Sequence, residues 1–566
     1  MRRRIKVLAA IFAVASVLVI TSVASSRRAP SESHDLKGAT KRSQEPHTIK
    51  VTPWGPDQIT IDTTKRQLLK HPTLLSYLKG KRYRMLSFDF IESAVKSKNP
   101  EPPTRYRATF FDYTSNRAIV AEGSFNAPGV EASLSTEQPV PSPEEFEAAV
   151  SIVAKDPQFA AAIGDGSLQP YPSMPPLADI HLTTDKVERT VTVGLMSKEG
   201  TASNEVVGVN MIRESVLRYE GGAPPTSLAT PALNCGVPSA GQSTTSSGTA
   251  GQYDLVISRG TEEIWRMTVI RPSASSGNNR SGIELRDVKY HTKSVLARAN
   301  VPILNVQYYR NACGPFRDWS WQEGMFAANG TYVVGGGGSG VMLCTDEPQT
   351  VIDNGTDTGN FRGVAIYDRE EVTLVSELNA GWYRYISKWT FSDDGVISPR
   401  FGFAMVTNSC VCQGHIHHAY WRFDFDILSA GNNAVAEFNQ TALKTVETES
   451  MRARLGPEQF WVVRNSLSQA SVIIRPGPKD GNYDKYGRGD LWLLLNRFPL
   501  EIDDSAQTGS GTEARLDPML NNENILNKDI VVWYASHYVH DHFDSPTHVH
   551  GDGPSLCGPN LILQGY

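Results

Sequence analysis

His415-Ile-His417-His418-Ala-Tyr-Trp-Arg422-Phe-Asp424-Phe425-Asp426 reads as a β-strand that carries two kinds of metal-ligating side chain. Residues two apart on a strand project to the same face, so His415 and His417 can bind one ion. Asp424 and Asp426 have the opposite parity, and a regular strand turns them to the other face. A His-x-His pair needs a third ligand from elsewhere in the chain. Ile530-Val-Val-Trp-Tyr-Ala-Ser-His537-Tyr-Val-His540-Asp-His542 offers three more imidazoles at the end of an apolar strand, and eight of the 13 His lie between His415 and His550. Three imidazoles without thiolate or extra carboxylate suit copper or zinc. A cupin-like barrel also uses His-x-His on a strand, but it would bring its last His much nearer than His540.

Outward from this strand, the pattern from Tyr253 to the C-terminus is one of short alternating segments punctuated by Gly, Asn, Asp and Pro, which predicts a large all-β sandwich over 251–566. Gly335 to Gly340 lacks the Lys-Ser/Thr of a phosphate loop and is expected to be a turn. The Ser/Thr/Gly-rich 226–250 reads as a linker. Before it, 56–225 mixes strand patterns such as Tyr106–Tyr113 with a helical one at Pro143–Val153, whose first turn is acidic. One or two small α+β domains are expected there. The polar 26–55 reads as a disordered stalk.

A chain of 566 residues with 40% apolar side chains has the length for several domains and the material for large cores. Its 55 Lys and Arg against 60 Asp and Glu leave no basic excess, which argues against nucleic acid as a partner. Arg2, Arg3, Arg4 and Lys6 precede an apolar run from Val7 to Ala24, with small residues at Ser22, Ala24 and Ser25. Residues 1–25 therefore read as a signal peptide, with an uncleaved membrane anchor as the alternative. The six cysteines (Cys235, Cys313, Cys344, Cys410, Cys412, Cys557) then point to disulfides in an oxidising compartment. Sequons at Asn279, Asn329, Asn354 and Asn439 fit a secreted, glycosylated chain.

His415-x-His417 followed by Arg422, Asp424 and Asp426 resembles the copper amine oxidases, whose signature is His-x-His-x4-Arg-x-Asp-x-Asp, and Trp533-Tyr534 followed by His540 is similar to that family's Trp-Tyr-x5-His. The resemblance implies copper on His415, His417 and His540, with His418, His537 and His542 outside the ligand set. It also implies a calcium-type site from Asp424, the carbonyl of Phe425, Asp426, Asp529 and the carbonyl of Ile530.

Leu374-Val-Ser-Glu-Leu-Asn-Ala-Gly-Trp382-Tyr383-Arg384-Tyr385, continuing into Trp389-Thr-Phe391-Ser-Asp-Asp-Gly395, resembles the family strand whose tyrosine becomes topaquinone. This register puts Tyr383 on the quinone precursor. Trp382 replaces the family's preceding Asn and Arg384 its following acid. A guanidinium approaching the ring would favour the phenolate of Tyr383. The family's proton-abstracting Asp aligns best with Asp318, ahead of Gly324-Met325, with Glu323 in reserve. The implied function is oxidative deamination of a small primary amine by dioxygen to an aldehyde, ammonia and hydrogen peroxide, in a homodimer. The alternatives are a secreted copper-binding protein of the same fold without this activity, or one performing another copper-dependent oxidation.

Overall fold

In a computed structural model the described residues are 45–91, 96, 100–136, 138–177, 187–197, 205–218, 235–238, 248–276, 282–311, 314–317, 322–407, 409–412, 414–439, 441–456, 458–477, 479–482, 489–498, 500, 516, 519–540 and 556–566. Two large sheets face each other. The first is ten-stranded, and its centre runs Lys293–Asn311, His415–Phe425, Ile530–His540, Leu491–Leu495, all antiparallel. The second is eleven-stranded, and its centre runs Val372–Ala380, Tyr383–Phe391, Val396–Met405, Asn560–Gln564. The aromatic and β-branched residues predicted as strand formers supply both inner faces. Leu374, Trp389, Phe401, Trp421, Phe423, Val532 and Tyr534 are all buried in one continuous core. A smaller core of Ile303, Tyr420, Trp492, Val531 and Trp533 lies on the outer face of the first sheet, so its central strands are covered on both sides. The fold is thus the β-dominated one expected.

The block 56–225 contains two four-stranded sheets. Tyr83–Ile91 opens the first, which packs with helices Gln58–Leu68 and Pro72–Leu78 around Phe88, Tyr106 and Phe110. Leu168–Leu177 opens the second, which packs with the helix Pro143–Val153. That helix starts where its sequence dictates. Ser142 accepts the Glu145 N–H, Pro143 occupies the first turn, and Glu144 and Glu145 meet the positive end of the helix dipole. Among the described residues no helix is long and apolar enough to cross a membrane. The expected signal or anchor, 1–25, lies outside the described residues.

Two organisational expectations need correction. His47–Pro53, assigned to the stalk, is instead an edge strand of the first sheet, antiparallel to Gln252–Arg259. Its period-two pattern puts Ile49 and Val51 against the sandwich core, and His47 is held by Asp368 and Asp393, each at 2.7 Å. The linker is also not featureless, because Cys235 is disulfide-bonded to Cys412 and Val237 bridges to Val406. Cys344 and Cys557 are free thiols. The glycine cluster is a hairpin turn as expected, joining Gly330–Gly336 to Ser339–Cys344 through Gly337 and Gly338 at φ 62° and 87°. Asn329 and Asn354 are exposed, as glycan acceptors must be, whereas Asn279 lies outside the described residues.

Candidate metal centre between the two sheets

His415–Phe425 and Ile530–His540 pair antiparallel in a register that sets His415 directly opposite His540 and His417 opposite Tyr538. Cross-strand partners share a face, so strand parity alone brings His415, His417 and His540 to the inner side of the first sheet. His415 Nε2 is 3.0 Å from His417 Nε2 and 3.3 Å from His540 Nδ1, and all three side chains are buried. Burial, and then the neighbouring imidazoles, hold His417 far below the usual histidine range, and the same causes bring His540 down to about 3. Neutral rings of this kind present nitrogen lone pairs. One nitrogen at the centre cannot donate a proton to both others, whereas a single cation satisfies all three. The donor set therefore fits copper or zinc.

The second sheet supplies the rest. Tyr383 and Tyr385 have the same parity on Tyr383–Phe391 and both point into the sandwich, fully buried. The Tyr383 hydroxyl lies 2.9 Å from His415 Nε2 and 3.1 Å from His540 Nδ1. The Tyr385 hydroxyl lies 3.0 Å from His417 Nδ1, the nitrogen that faces away from the other imidazoles. Phe403 stacks on the His417 ring at 3.9 Å between centroids. His417 is thereby fixed on both its edge and its face.

Trp382 and Arg384 flank Tyr383 in the chain. The Trp382 ring packs at 5.3 Å, tilted by 59°, against Tyr171 of the Leu168–Leu177 strand. Arg384 has the opposite parity to Tyr383 and leaves the sandwich on the far side, where it forms a two-point ion pair with Asp357 at 2.6 and 2.9 Å. Its remaining amine donates to Asn379 Oδ1 and to the carbonyls of Gly381 and Tyr383. The approach to the phenol ring on which an electrostatic effect of Arg384 was conditional is therefore not made. The guanidinium braces the hairpin that carries Tyr383 and does not face its hydroxyl.

Asp318 lies outside the described residues. Glu323, the reserve base, is fully buried, and burial alone would raise its carboxyl. The Arg271 guanidinium, bonded to both carboxylate oxygens, more than offsets this and leaves it below the ordinary value. With the Ser273 N–H also donating to Oε1, both oxygens are committed, and Glu323 is corrected from base to structural anion.

His418 and His537, left out of the ligand set, are buried. His418 and His537 face each other on the outer side of the first sheet, Nδ1 to Nδ1 at 2.6 Å, and His537 Nε2 is 3.0 Å from Asp490 and from the Gly489 carbonyl. His542 lies outside the described residues. At the other end of the strand, Asp424, Asp426 and Asp529 converge as expected, but they do so on the ammonium of Lys96. The Phe425 carbonyl accepts from Asn433 Nδ2 at 3.3 Å, and Phe425 and Ile530 are register partners in the ladder. Sequence reasoning missed Lys96, Asp357 and Tyr385. Only Tyr385 had a signal, since its parity matches that of Tyr383.

No family model and no curated protein sequence matches the chain. Its structure is similar to that of a copper-containing benzylamine oxidase from Hansenula polymorpha, with 14% identity, a TM-score of 0.57, and coverage of 88% of this chain and 96% of that one. It is similar to Pichia pastoris lysyl oxidase, with 11% identity, a TM-score of 0.58, and coverage of 91% and 90%. An amine oxidase from Aspergillus nidulans is also similar, at 12% identity and a TM-score of 0.53 over 93% of this chain and 89% of that one. At such identities what is shared is architecture, and the chain has the fold of these amine oxidases over about nine tenths of its length.

Proposed function

We propose that this chain is a copper- and quinone-dependent oxidase that converts a primary amine, dioxygen and water to an aldehyde, ammonia and hydrogen peroxide. One observation carries the reading: a fully buried tyrosine hydroxyl within 3.1 Å of two of three converging buried imidazoles. Copper held by His415 Nε2, His417 Nε2 and His540 Nδ1 would supply the oxidative chemistry with dioxygen that turns the Tyr383 ring into topaquinone. The protein's own part is positional. Tyr385 and Phe403 hold the His417 ring, burial excludes bulk water from the phenol, and the Arg384 brace fixes the hairpin from which Tyr383 projects. We assign substrate proton abstraction to Asp318, from its place ahead of Gly324-Met325, since Glu323 is tied to Arg271. We place the mature chain in an oxidising, extracellular setting, which the Cys235–Cys412 disulfide supports, and expect a homodimer.

Aerobic copper loading of the purified chain tests this. The expected result is a coloured protein that forms a phenylhydrazine adduct, with a mass gain on the Tyr383 peptide. Bound copper with an unmodified Tyr383 would exclude the oxidase. It would favour a copper-binding protein of the same fold, a reading motivated by Trp382, whose ring packs at a tilt against Tyr171 beside the hairpin.

A further inference from the structure

The three carboxylates that the family resemblance offered as calcium ligands already hold a cation, and it belongs to the chain. Lys96 Nζ lies 2.6 Å from Asp424 Oδ1, 2.7 Å from Asp426 Oδ1 and 2.7 Å from Asp529 Oδ1. An ammonium has three donors, and each one has its own carboxylate. The separations match charge-assisted N–H···O bonds. A calcium ion needs six to eight oxygen ligands, and here the other candidates are engaged. Asn496 Nδ2 donates to Asp424 Oδ2 at 3.1 Å and to Asp529 Oδ2 at 3.2 Å, Arg422 Nη1 stands 3.6 Å from Asp424 Oδ2, and Asn433 bonds the Phe425 carbonyl. A divalent ion at the centre of the three aspartates would coincide with the ammonium, so the calcium expected from sequence does not fit the residues present.

We propose that Lys96 is the resident cation of this site, taking the place that a divalent oxygen-ligand ion would fill, and that the chain is thereby independent of calcium. Lys96 follows the Tyr83–Ile91 strand of the first small domain, whereas Asp424 lies at the end of the His415–Phe425 strand and Asp529 immediately precedes Ile530–His540. The contact therefore also ties the small domain to the sheet that carries the three histidines. Its strength follows from the company the carboxylates keep. Without the ammonium, three acidic oxygens within 4.8 Å of one another would have, among the described residues, Asn496 and Arg422 to offset their repulsion. That arrangement is also what an added divalent ion would bind.

The test compares the full copper-loaded chain with its Lys96→Ala variant by thermal unfolding in EGTA and in millimolar calcium chloride, with calcium and copper content read in the same samples. The wild type is expected to carry no stoichiometric calcium and to unfold at the same temperature in both buffers. Lys96→Ala is expected to melt lower in EGTA by about 5 °C or more and to regain stability on adding calcium. Stoichiometric calcium in the wild type, or a wild-type melt that falls in EGTA while copper is retained, would overturn the proposal. A Lys96→Ala melt that matches wild type in EGTA, or that calcium leaves unchanged, would also overturn it. The wild-type measurements decide the matter even if the variant fails to fold.

Discussion

The hydroxyl of Tyr383 and Nε2 of His415 lie 2.9 Å apart, although one belongs to the eleven-stranded sheet and the other to the ten-stranded sheet. This contact spans the sandwich, and the proposed chemistry depends on it. Tyr383→Phe removes one oxygen, and with it the contacts to His415 and His540, but leaves the ring volume almost unchanged and all three imidazoles in place. The variant is expected to bind copper at the wild-type stoichiometry while its quinone signal and amine turnover drop to background. Metal analysis together with phenylhydrazine titration checks both halves. Turnover persisting in Tyr383→Phe would show that another group does the work.

Tyr385 acts one step further out, through His417. Its hydroxyl at 3.0 Å from His417 Nδ1 orients the ring and sets which nitrogen faces the metal. Tyr385→Phe is expected to weaken copper binding by about 10- to 100-fold without altering the fold, as loss of an outer hydrogen-bond partner to a ligating histidine does. Competition against a chelator of known copper affinity measures the change. Near-infrared or visible absorption of the loaded variant reports whether the ligand field has shifted as well.

How far the sequence could be read depended on whether a contact is local. His415 and His417 are two residues apart on a strand, so their common face follows from the period of the pleat, and the parity of Asp424 correctly put it on the other side. The Pro143–Val153 helix was equally legible, because cap, proline and acidic first turn all lie within four residues. Lys96 was not. It meets Asp424 across 328 positions, and Val95-Lys96-Ser97-Lys98-Asn99 forms no pattern that marks one lysine as a partner of distant carboxylates. The Arg384–Asp357 pair was hidden for a related reason. Resemblance placed Arg384 beside Tyr383 in the chain, and only the observed strand shows the two side chains leaving by opposite faces. His47–Pro53 was lost because its alternation of His47, Ile49 and Val51 sits at the end of a long charged segment.

Glu377 gives the chain a predictable pH response. It is fully buried on the Val372–Ala380 strand, accepts one hydrogen bond from the Val351 N–H at 2.9 Å, and leaves Oε1 without a partner among the described residues. Burial pushes its carboxyl from an ordinary 4.5 up to about 8. The folded chain thus keeps a proton that the unfolded chain releases. The associated stability is complete below pH 4.5, declines between the two values, and is lost as pH rises through about 8. Glu377→Gln keeps the shape and removes the ionisation. Urea unfolding at intervals from pH 5 to pH 8 is expected to show a stability slope that is shallower in Glu377→Gln by up to about 1 kcal/mol per pH unit. Parallel slopes in the two proteins would show that Glu377 ionises normally in the fold.

Arg384 and Asp357 form a buried pair, with side chains 3% and 0% exposed, so removing either partner alone leaves a charge with no solvent to take it. Arg384→Met is expected to cost about 3–5 kcal/mol in denaturant unfolding, and Asp357→Leu a similar amount. The double variant replaces both charges with apolar side chains of comparable length. It is expected to recover most of that loss, because the large penalty belongs to the unpaired charge and not to the absence of the pair. Arg384 also donates to the carbonyls of Gly381 and Tyr383, so the double variant should retain some loosening of the hairpin. The position of the guanidinium on the far side of the sheet yields a second, independent outcome. If Arg384 braces the backbone without acting on the ring, the pH at which the Tyr383-derived chromophore titrates is the same in the wild type and the double variant. A shift of that titration would mean that the charge at position 384 reaches the ring after all, through the sheet and not around it.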